Sequence, residues 1–351
     1  MVNLRVFVFA DNIKREHDFW LLKYLPRYIS MDVLTSRKDL GLVPSLPLRS
    51  CYSGTQILKT LSNCTKYDII LSMDTLYGTQ LSAIRFVLKA ALPPHVMVDS
   101  SSLPLISSKF SLSRLFRRVF SSTKRIICFT RCQASFWNET LGFVDKAVFM
   151  PFGINLRDYR ARNIESSSYI FSGGRTARDF GTLFKLANKI NANFVVVTGY
   201  PAWSEINLRS IPKNVTVYFE VPENDYEELL LKSKFVVLTL HDVPYSCGLS
   251  SLLQAMAAGK AVIVTKTSST LDYVSNWNTG IFVRPYDVND LRDKIKYLLK
   301  NPKKAEEIGA NGRWTVETLF NERNMAKNII KVLTSVHREE NTSADLINRR
   351  S

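Results

Sequence analysis

The sequence predicts an α/β protein made of two doubly wound halves, each with a parallel sheet. Two observations carry this prediction. Short runs rich in β-branched and aromatic residues alternate with longer stretches of helical periodicity along the whole chain, which is the pattern of βαβ units. The chain also has 351 residues, of which 46% are hydrophobic. That length is enough for two globular domains of about 100–200 residues each.

In the first half, an apolar run close to the start of the chain predicts the first strand, because its residue types favour extended backbone. Further runs of this kind follow, each bounded by turn residues. The predicted strands are residues 4–9, 32–35, 68–72, 96–98, 125–129 and 147–150. Apolar residues at helical spacing predict a helix over residues 80–91. Helical crossovers of this sort imply that the strands run parallel.

The second half repeats the same alternation with stronger apolar runs. Its predicted strands are residues 168–172, 194–198, 215–219, 235–240, 261–265 and 280–284. Its predicted helices are residues 179–189, 225–232, 250–258 and 288–300. After Pro302 the helical periodicity continues as two or three helices to about His337.

The boundary between the halves is predicted at residues 151–155, where both periodicities stop before a charged and Ser-rich stretch. We therefore divide the chain into domains 1–155 and 156–320. A helix over residues 321–337 is expected to cross back to the first domain, and the polar tail 338–351 is expected to be frayed.

Composition limits the class of partner and the compartment. The formal net charge of +16 predicts an anionic partner, such as a nucleic acid, a nucleotide or an acidic lipid surface. The five cysteines have no Cys-x-x-Cys spacing, which argues against a disulfide framework or a zinc site. The longest uncharged stretch, residues 243–259, is too polar to span a membrane, and the start of the chain does not resemble a signal peptide. We therefore expect a cytoplasmic protein.

The first candidate site is a glycine turn between a predicted strand and a helix. Gly173 and Gly174 end the strand, and Arg175 and Arg178 follow within the next four residues. Paired glycines let the backbone approach a ligand closely, and planar, permanently charged guanidinium groups suit phosphate oxygens. Such a turn lies at the carboxyl end of a strand, where α/β proteins bind ligands. The alternative is an ordinary strand-to-helix turn with solvated arginines.

The second candidate site is the start of the helix predicted over residues 250–258. Gly248 precedes it, and Gly259 ends it before an apolar strand. Free amides and the positive end of the helix dipole would form an anion site there. The amides concerned are those of Leu249, Ser250, Ser251 and Leu252. Gln254, one turn further on, would reach a ribose hydroxyl. A capped core helix before a buried strand is the alternative.

The order of these motifs, with Thr198-Gly199 between them and Gly280-Ile281-Phe282-Val283 after them, resembles the donor domain of retaining GT-B glycosyltransferases of the group 1, family 4-like type. This resemblance covers about 150 residues, from Phe171 to Phe320. The first half is similar more weakly, through residues 68–70, 126–130 and 150–155.

The resemblance implies the GT-B fold, in which two Rossmann-like domains face a cleft. It implies that a nucleotide sugar binds to the second domain and a sugar or lipid-linked acceptor to the first, with no metal ion or other cofactor. Arg175 matches the family's arginine on the donor diphosphate, and Arg178 stands near the lysine that usually completes the clamp. The implied donor-binding residues are Gly173, Gly174, Arg175, Arg178, Gly199, Gly248, Leu249, Ser250, Ser251, Leu252 and Gln254.

The sequence departs from the family at its paired glutamates, which fall on Ser246 and Gln254, so that neither carboxylate is present. Gln254 can still hydrogen-bond a ribose. Either Asp242 in the preceding loop fills the gap left at Ser246, or the activity is altered or lost. Asp99 stands where the family often has a histidine, although an aspartate after a strand is commonly a helix cap or a turn residue. The catalytic candidates are Asp99, Asp242 and Ser246, and the alternative function is a non-catalytic scaffold that binds a nucleotide sugar.

The positive charge is concentrated in residues 100–138, which contain seven cationic residues and no acidic one. Within this segment, Leu112, Leu115, Phe116 and Val119 follow helical spacing, which predicts a basic amphipathic helix able to lie on an anionic membrane surface. The candidate membrane-surface residues are Lys109, Arg114, Leu115, Phe116, Arg117 and Arg118. Packing of the apolar stripe against the core is the alternative. Basic residues interleaved with exposed aromatics are missing, so no nucleic-acid partner is expected.

Overall fold

The computed structural model describes residues 3–10, 19–35, 46–100, 110–156, 159, 168–200, 206, 211–243 and 245–348. Within this part of the chain there are two parallel sheets of six strands each. The chain divides into two compact units, Met1–Met150 with Arg323–Ser351, and Pro151–Glu322. The prediction of two doubly wound α/β halves is confirmed.

The first unit contains a sheet with the strand order β2-β1-β3-β4-β5-β6. Its strands are β1 (Leu4–Ala10), β2 (Ile29–Thr35), β3 (Ile69–Ser72), β4 (His95–Asp99), β5 (Thr123–Cys128) and β6 (Ala147–Phe149). Its helices are α1 (Leu46–Cys64), α2 (Thr75–Leu88), α3 (Phe110–Phe120), α4 (Arg131–Ser135) and, from the end of the chain, α10 (Glu322–Asn348). A 3-10 turn at Trp20–Tyr24 and a π-helical turn at Phe136–Thr140 complete it.

Strand β1 runs through the interior of this sheet. Val8 lies opposite Val33 on one side and Leu71 on the other, and all three side chains are buried. Helices cover both faces of a parallel sheet, so its strands are apolar runs without alternation. This explains why residues 4–9 were recognisable as a strand.

The second unit has the strand order β12-β11-β10-β7-β8-β9. Its strands are β7 (Tyr169–Gly173), β8 (Asn193–Thr198), β9 (Val215–Phe219), β10 (Val236–Leu238), β11 (Val262–Thr265) and β12 (Ile281–Val283). Its helices are α5 (Phe180–Ala187), α6 (Glu223–Lys232), α7 (Leu249–Ala257), α8 (Val288–Lys300) and α9 (Pro302–Thr318).

The strand order of this sheet reverses between β7 and β10. Phe171 on β7 pairs with Val195 of β8 and with Val236 of β10. The chain leaves β7 in one direction for β8 and β9, and later returns to β7's other side with β10. In open α/β sheets, ligands bind in the crevice outside the carboxyl ends of the strands at such a switch point. The glycine turn after β7 and the helix after β10 both lie at this position.

The helices differ from the prediction more than the strands do. Helix α2 begins at Thr75 because Asp74 caps it, its Oδ1 accepting a hydrogen bond from the Tyr77 amide at 2.8 Å. Helix α1 was not predicted. The expectation of a frayed tail after residue 337 is wrong as far as Asn348, because α10 continues to that residue. Two ion pairs hold this part of the helix, Lys124 with Glu340 and Arg125 with Glu339.

None of the helices described has both the length and the apolar character that crossing a bilayer requires.

Candidate functional site

A cavity of about 440 Å³ opens in the second unit at the carboxyl ends of its strands. Residues from the turn after β7, from β8 and from the start of α7 surround it. The predicted donor-binding residues among its walls are Gly174, Arg175, Arg178, Gly248, Ser250, Ser251 and Gln254. The topology therefore brings the two candidate motifs of the sequence to one cavity.

Arg178 is enclosed between two glycine backbones of this cavity. Gly174 has a φ of +133°, and a Cβ there would collide with Arg178 Nη2. Gly248 has a φ of +73°, and a Cβ there would lie 2.8 Å from Leu240 Cδ1 and 3.2 Å from Arg178 Nη1. Both glycines are needed for their backbone angles and for the room they leave. That room is taken by a guanidinium group of the protein itself.

The guanidinium of Arg178 is buried and only partly hydrogen-bonded. The side chain is 3% exposed, and Nη2 donates to Ser251 Oγ at 2.8 Å. Its Nε and Nη1 are buried and have no hydrogen-bond partner among the described residues. Burial lowers the pKa of this guanidinium, although an arginine side chain stays protonated in proteins. The cavity thus contains a positive charge with two donors to spare.

The start of α7 adds backbone donors to the same cavity. Its cap is Gly248, which has no side chain to bond the first amides. The Leu252 amide donates to the Gly248 carbonyl at 3.0 Å, so the expectation that it is free is wrong. The amides of Leu249, Ser250 and Ser251 remain without an intrahelical partner, as in the first turn of any α-helix. The side chains of Leu249 and Leu252 are buried among apolar residues.

Arg175 stands at the exposed side of the cavity and is paired with a carboxylate. Its Nη2 lies 2.8 Å from Glu220 Oε2, and its side chain is 59% exposed. Glu220 Oε1 also accepts a hydrogen bond from the Tyr200 amide at 3.2 Å. A Cβ at Gly199 would collide with Glu220 Oε1, so this glycine makes room for the ion pair. Arg175 and Arg178 are therefore in different electrostatic environments.

The candidates to replace the missing carboxylates stand apart from the cavity walls. Asp242 is exposed, and its Oδ1 accepts hydrogen bonds from Ser268, from the amide at 3.0 Å and from Oγ at 2.9 Å. Ser246 is half-buried in the loop before α7. Neither residue is part of the cavity wall, whereas Gln254 is. Gln254, the side chain predicted to hold a ribose, thus lies in the same cavity as the arginines. Asp242 and Ser246 stay predictions, because they do not line this cavity.

Asp99, in the first unit, is buried at the end of β4. Its Oδ1 accepts a hydrogen bond from Thr75 Oγ1 at 3.0 Å, and its Oδ2 accepts one from Trp137 Nε1 at 2.9 Å. Burial raises the pKa of this carboxyl group, against the lowering effect of the two hydrogen bonds. The carboxylate thus holds two buried side chains together, and neither contact is the helix cap or turn that was the alternative to a catalytic role.

The basic helix α3 packs partly into the core of the first unit. Phe116 stacks on Trp137 with ring centroids 5.7 Å apart, and Val119 packs beside the same cluster. Leu115 is 50% exposed, and Arg114, Arg117 and Arg118 are exposed. The predicted apolar stripe is therefore divided, with Phe116 packed partly buried against the core and Leu115 exposed. Lys109 lies outside the described residues.

Three residues near the cavity were not predicted. Tyr226, Glu223 and Glu220 come from α6 and from the end of β9. They belong to no motif, and only the three-dimensional order of the strands brings them beside β7. No group of three His, Cys, Asp or Glu residues that could hold a metal ion occurs in the described part of the chain.

The sequence similarity to a known protein family falls in one of the two units. Residues 182–315, all in the second unit, match the family Glycosyl transferases group 1. A stretch of 123 residues is 27% identical to N,N'-diacetylbacillosaminyl-diphospho-undecaprenol alpha-1,3-N-acetylgalactosaminyltransferase of Campylobacter jejuni. That match covers 35% of this chain and 32% of the enzyme, so it spans about a third of each.

Similarity to solved structures extends over nearly the whole chain. Sucrose-phosphate synthase from Thermosynechococcus elongatus has a TM-score of 0.76 at 15% identity, covering 96% of this chain and 100% of that one. HepE of Anabaena, in complex with UDP and glucose, has a TM-score of 0.71 at 13% identity, covering 95% and 100%. This chain has the GT-B fold. The resemblance inferred from the motifs of the second half is confirmed, and with it the fold.

Within this GT-B protein, the cavity lies in the unit that carries the group 1 match. The match begins at Thr182 and ends at Thr315, so it includes α7 but not Arg175 or Arg178. The arginines are placed at the cavity by the structure.

Proposed function

We propose that this protein transfers a sugar from a nucleoside diphosphate sugar to an acceptor, with the diphosphate bound in the cavity of the second unit. The observation that carries this proposal is Arg178, a buried cation with two unpaired donors beside the free amides of α7. A buried positive charge without a partner is costly, and a bound phosphate would compensate it. The UDP bound by HepE, which has the same fold, supports a nucleotide as the ligand.

In this proposal the chain's own groups stabilise the leaving nucleoside diphosphate. Negative charge grows on the diphosphate as the bond to the sugar breaks. Preorganised donors aimed at developing charge in a water-poor site are an effective source of catalysis. Arg178, the amides of Leu249, Ser250 and Ser251, and the helix dipole of α7 supply such donors. We propose that this set works without a metal ion and that transfer retains the anomeric configuration.

We further propose that the acceptor is a sugar or a lipid-linked molecule bound by the first unit, at the cytoplasmic face of a membrane. The name of the Campylobacter relative contains a lipid-linked acceptor. The exposed arginines of α3 form no ion pair in the described structure, so they are available to anionic lipid headgroups. Such headgroups attract cationic side chains by about 1 kcal/mol each.

The first test measures binding with UDP, GDP, ADP and dTDP sugars by thermal unfolding. A ligand that binds only the native state stabilises it, by about 2.7 kcal/mol at roughly 100 times Kd. We expect one of these ligands to stabilise the wild type. Arg178→Met should weaken its binding by at least about tenfold while preserving the fold, because methionine fills similar space without a buried charge.

The matched control is Arg313→Met, since Arg313 pairs with Glu317 on the surface of α9. This variant should bind the ligand as the wild type does. Equal binding by Arg178→Met, or no stabilisation of the wild type by any of the four sugars, would contradict the proposed site.

A second candidate function is a non-catalytic subunit that binds a nucleotide sugar. It is favoured by Ser246 and Gln254 standing where the resemblance places carboxylates. Release of the nucleoside diphosphate in the presence of a lipid extract separates the two functions. Turnover supports the transferase, and binding without turnover across the donor panel supports the scaffold.

A further inference from the structure

Tyr226 on α6 stands over the glycine turn that follows β7. Its ring packs edge-to-face on Phe171, with centroids 5.3 Å apart and planes at 84°. A Cβ at Gly173 would lie 2.6 Å from its hydroxyl oxygen. Gly173 therefore makes room for Tyr226 as Gly174 does for Arg178, and neighbouring glycines admit the two polar groups side by side.

The hydroxyl of Tyr226 is buried and has no hydrogen-bond partner in the described structure. An unpaired buried hydroxyl costs free energy, and a phenylalanine would fill the same space without this cost. The ring packing therefore accounts for an aromatic residue here but not for its oxygen. The neighbouring polar group of the protein is the Ser251 hydroxyl, which already accepts a hydrogen bond from Arg178 Nη2 and makes no well-formed hydrogen bond with the Tyr226 oxygen. A bound ligand would therefore supply the partner of this oxygen.

Tyr226 and Arg178 line the same cavity and are close enough to interact electrostatically. The unpaired atoms are thus Tyr226 Oη, Arg178 Nε and Arg178 Nη1. Burial raises the pKa of the Tyr226 hydroxyl, so that at neutral pH it keeps its proton and acts as a donor. A ligand that accepts from all three groups must present several oxygens with negative charge, which describes a phosphate group.

We propose that the Tyr226 hydroxyl is a direct ligand of the diphosphate, donating a hydrogen bond to the phosphate oxygens that Arg178 also binds. This inference rests on the proposed function, because it takes the same cavity as the diphosphate site. It adds a residue that no motif in the sequence indicates. Its role differs from that of a structural tyrosine, whose hydroxyl is paired within the protein.

Tyr169 provides such a structural tyrosine for comparison. Its hydroxyl donates to the Leu229 carbonyl of the same helix α6 at 2.7 Å. Removing that hydroxyl takes away a bond present in the free protein. Removing the Tyr226 hydroxyl takes away none, so the two Tyr→Phe variants should have opposite effects on stability and on binding.

The experiment uses the full chain, inorganic pyrophosphate as the probe in calorimetry, and thermal unfolding without ligand. We expect Tyr226→Phe to bind pyrophosphate about tenfold more weakly, as for the loss of one hydrogen bond to a charged group. Its melting temperature without ligand should equal or exceed that of the wild type. Tyr169→Phe should melt at a lower temperature and bind pyrophosphate like the wild type.

The experiment distinguishes a failure of this inference from a failure of the proposed function. If Arg178→Met loses pyrophosphate binding while Tyr226→Phe binds like the wild type, the diphosphate site stands and the role of Tyr226 is overturned. If Tyr226→Phe melts lower or fails to fold, its hydroxyl is structural and the inference is also overturned. If the wild type does not bind pyrophosphate, the proposed function and this inference fail together.

Discussion

The two arginines of the candidate site differ in what balances their charge. Arg178 is buried and, among the residues the structure describes, hydrogen-bonds only to a serine, whereas Arg175 is exposed and paired with Glu220. An ion pair in water is weakly stabilising, but its carboxylate still repels an anion that approaches the guanidinium. Anion binding should therefore depend more on Arg178 than on Arg175.

A substitution of Glu220 tests how its carboxylate affects anion binding by Arg175. Glu220→Gln removes a negative charge beside Arg175, so we expect pyrophosphate to bind severalfold more tightly, as measured by calorimetry. The free energy of unfolding should change by no more than about 1 kcal/mol, because the ion pair is exposed. Glu228→Gln, which breaks the exposed pair with Lys232 on α6, is the matched control. Weaker binding by Glu220→Gln would mean that Glu220 instead holds Arg175 in place for the phosphate.

At the scale of elements, part of the site consists of contiguous sequence motifs, and part consists of residues that are far apart in the sequence. The turn after β7 and the start of α7 were predictable because each is a contiguous motif, in which a glycine at positive φ meets a strand or helix end. The spacing of Gly173, Gly174 and Arg178 indicated a phosphate site, but not that the glycines enclose the arginine.

The rest of the site depends on strand order. Tyr226 and Glu220 follow β9, the edge strand of the sheet. Tyr226 lines the cavity because α6 crosses back toward β10 beside β7, whereas Glu220 lies at the end of β9 and pairs with Arg175. No local sequence pattern predicts such a crossing. In the same way, the periodicity of α3 predicted an amphipathic helix correctly, but the presence of Trp137 under Phe116 decided which apolar residues face the core.

The exposed arginines of helix α3 lead to a prediction about binding to anionic membranes. The double variant Arg114→Gln and Arg118→Gln removes two exposed cations, each attracted to an anionic surface by about 1 kcal/mol. We expect binding to vesicles rich in phosphatidylglycerol to fall by about ten- to thirtyfold in a flotation assay. Binding to phosphatidylcholine vesicles should not change.

The control for this experiment is Lys296→Gln with Lys300→Gln, which lowers the net charge equally on α8 of the second unit. If both double variants bind the anionic vesicles alike, the attraction comes from overall charge and not from α3.

At the scale of the whole molecule, the cationic side chains are in three different situations. Arg178 is buried at the cavity, the arginines of α3 are exposed, and Lys124 and Arg125 are neutralised within the first unit by Glu340 and Glu339. The net charge of +16 alone therefore predicted only the sign of the partner's charge. The structure separates cations that are free to bind from those already paired.

The connectivity of the two units has a consequence for synthesis. The second unit is continuous, Pro151–Glu322, whereas the first needs both its opening segment and Arg323–Ser351. Helix α10 buries Ala326, Ile329, Leu333 and Val336, and all of them leave the ribosome after the whole second unit. Domains fold as units during translation. The second unit can thus fold on the nascent chain before α10 emerges. Until then the first unit keeps exposed the apolar surface that α10 would cover, and chaperones would recognise such a surface.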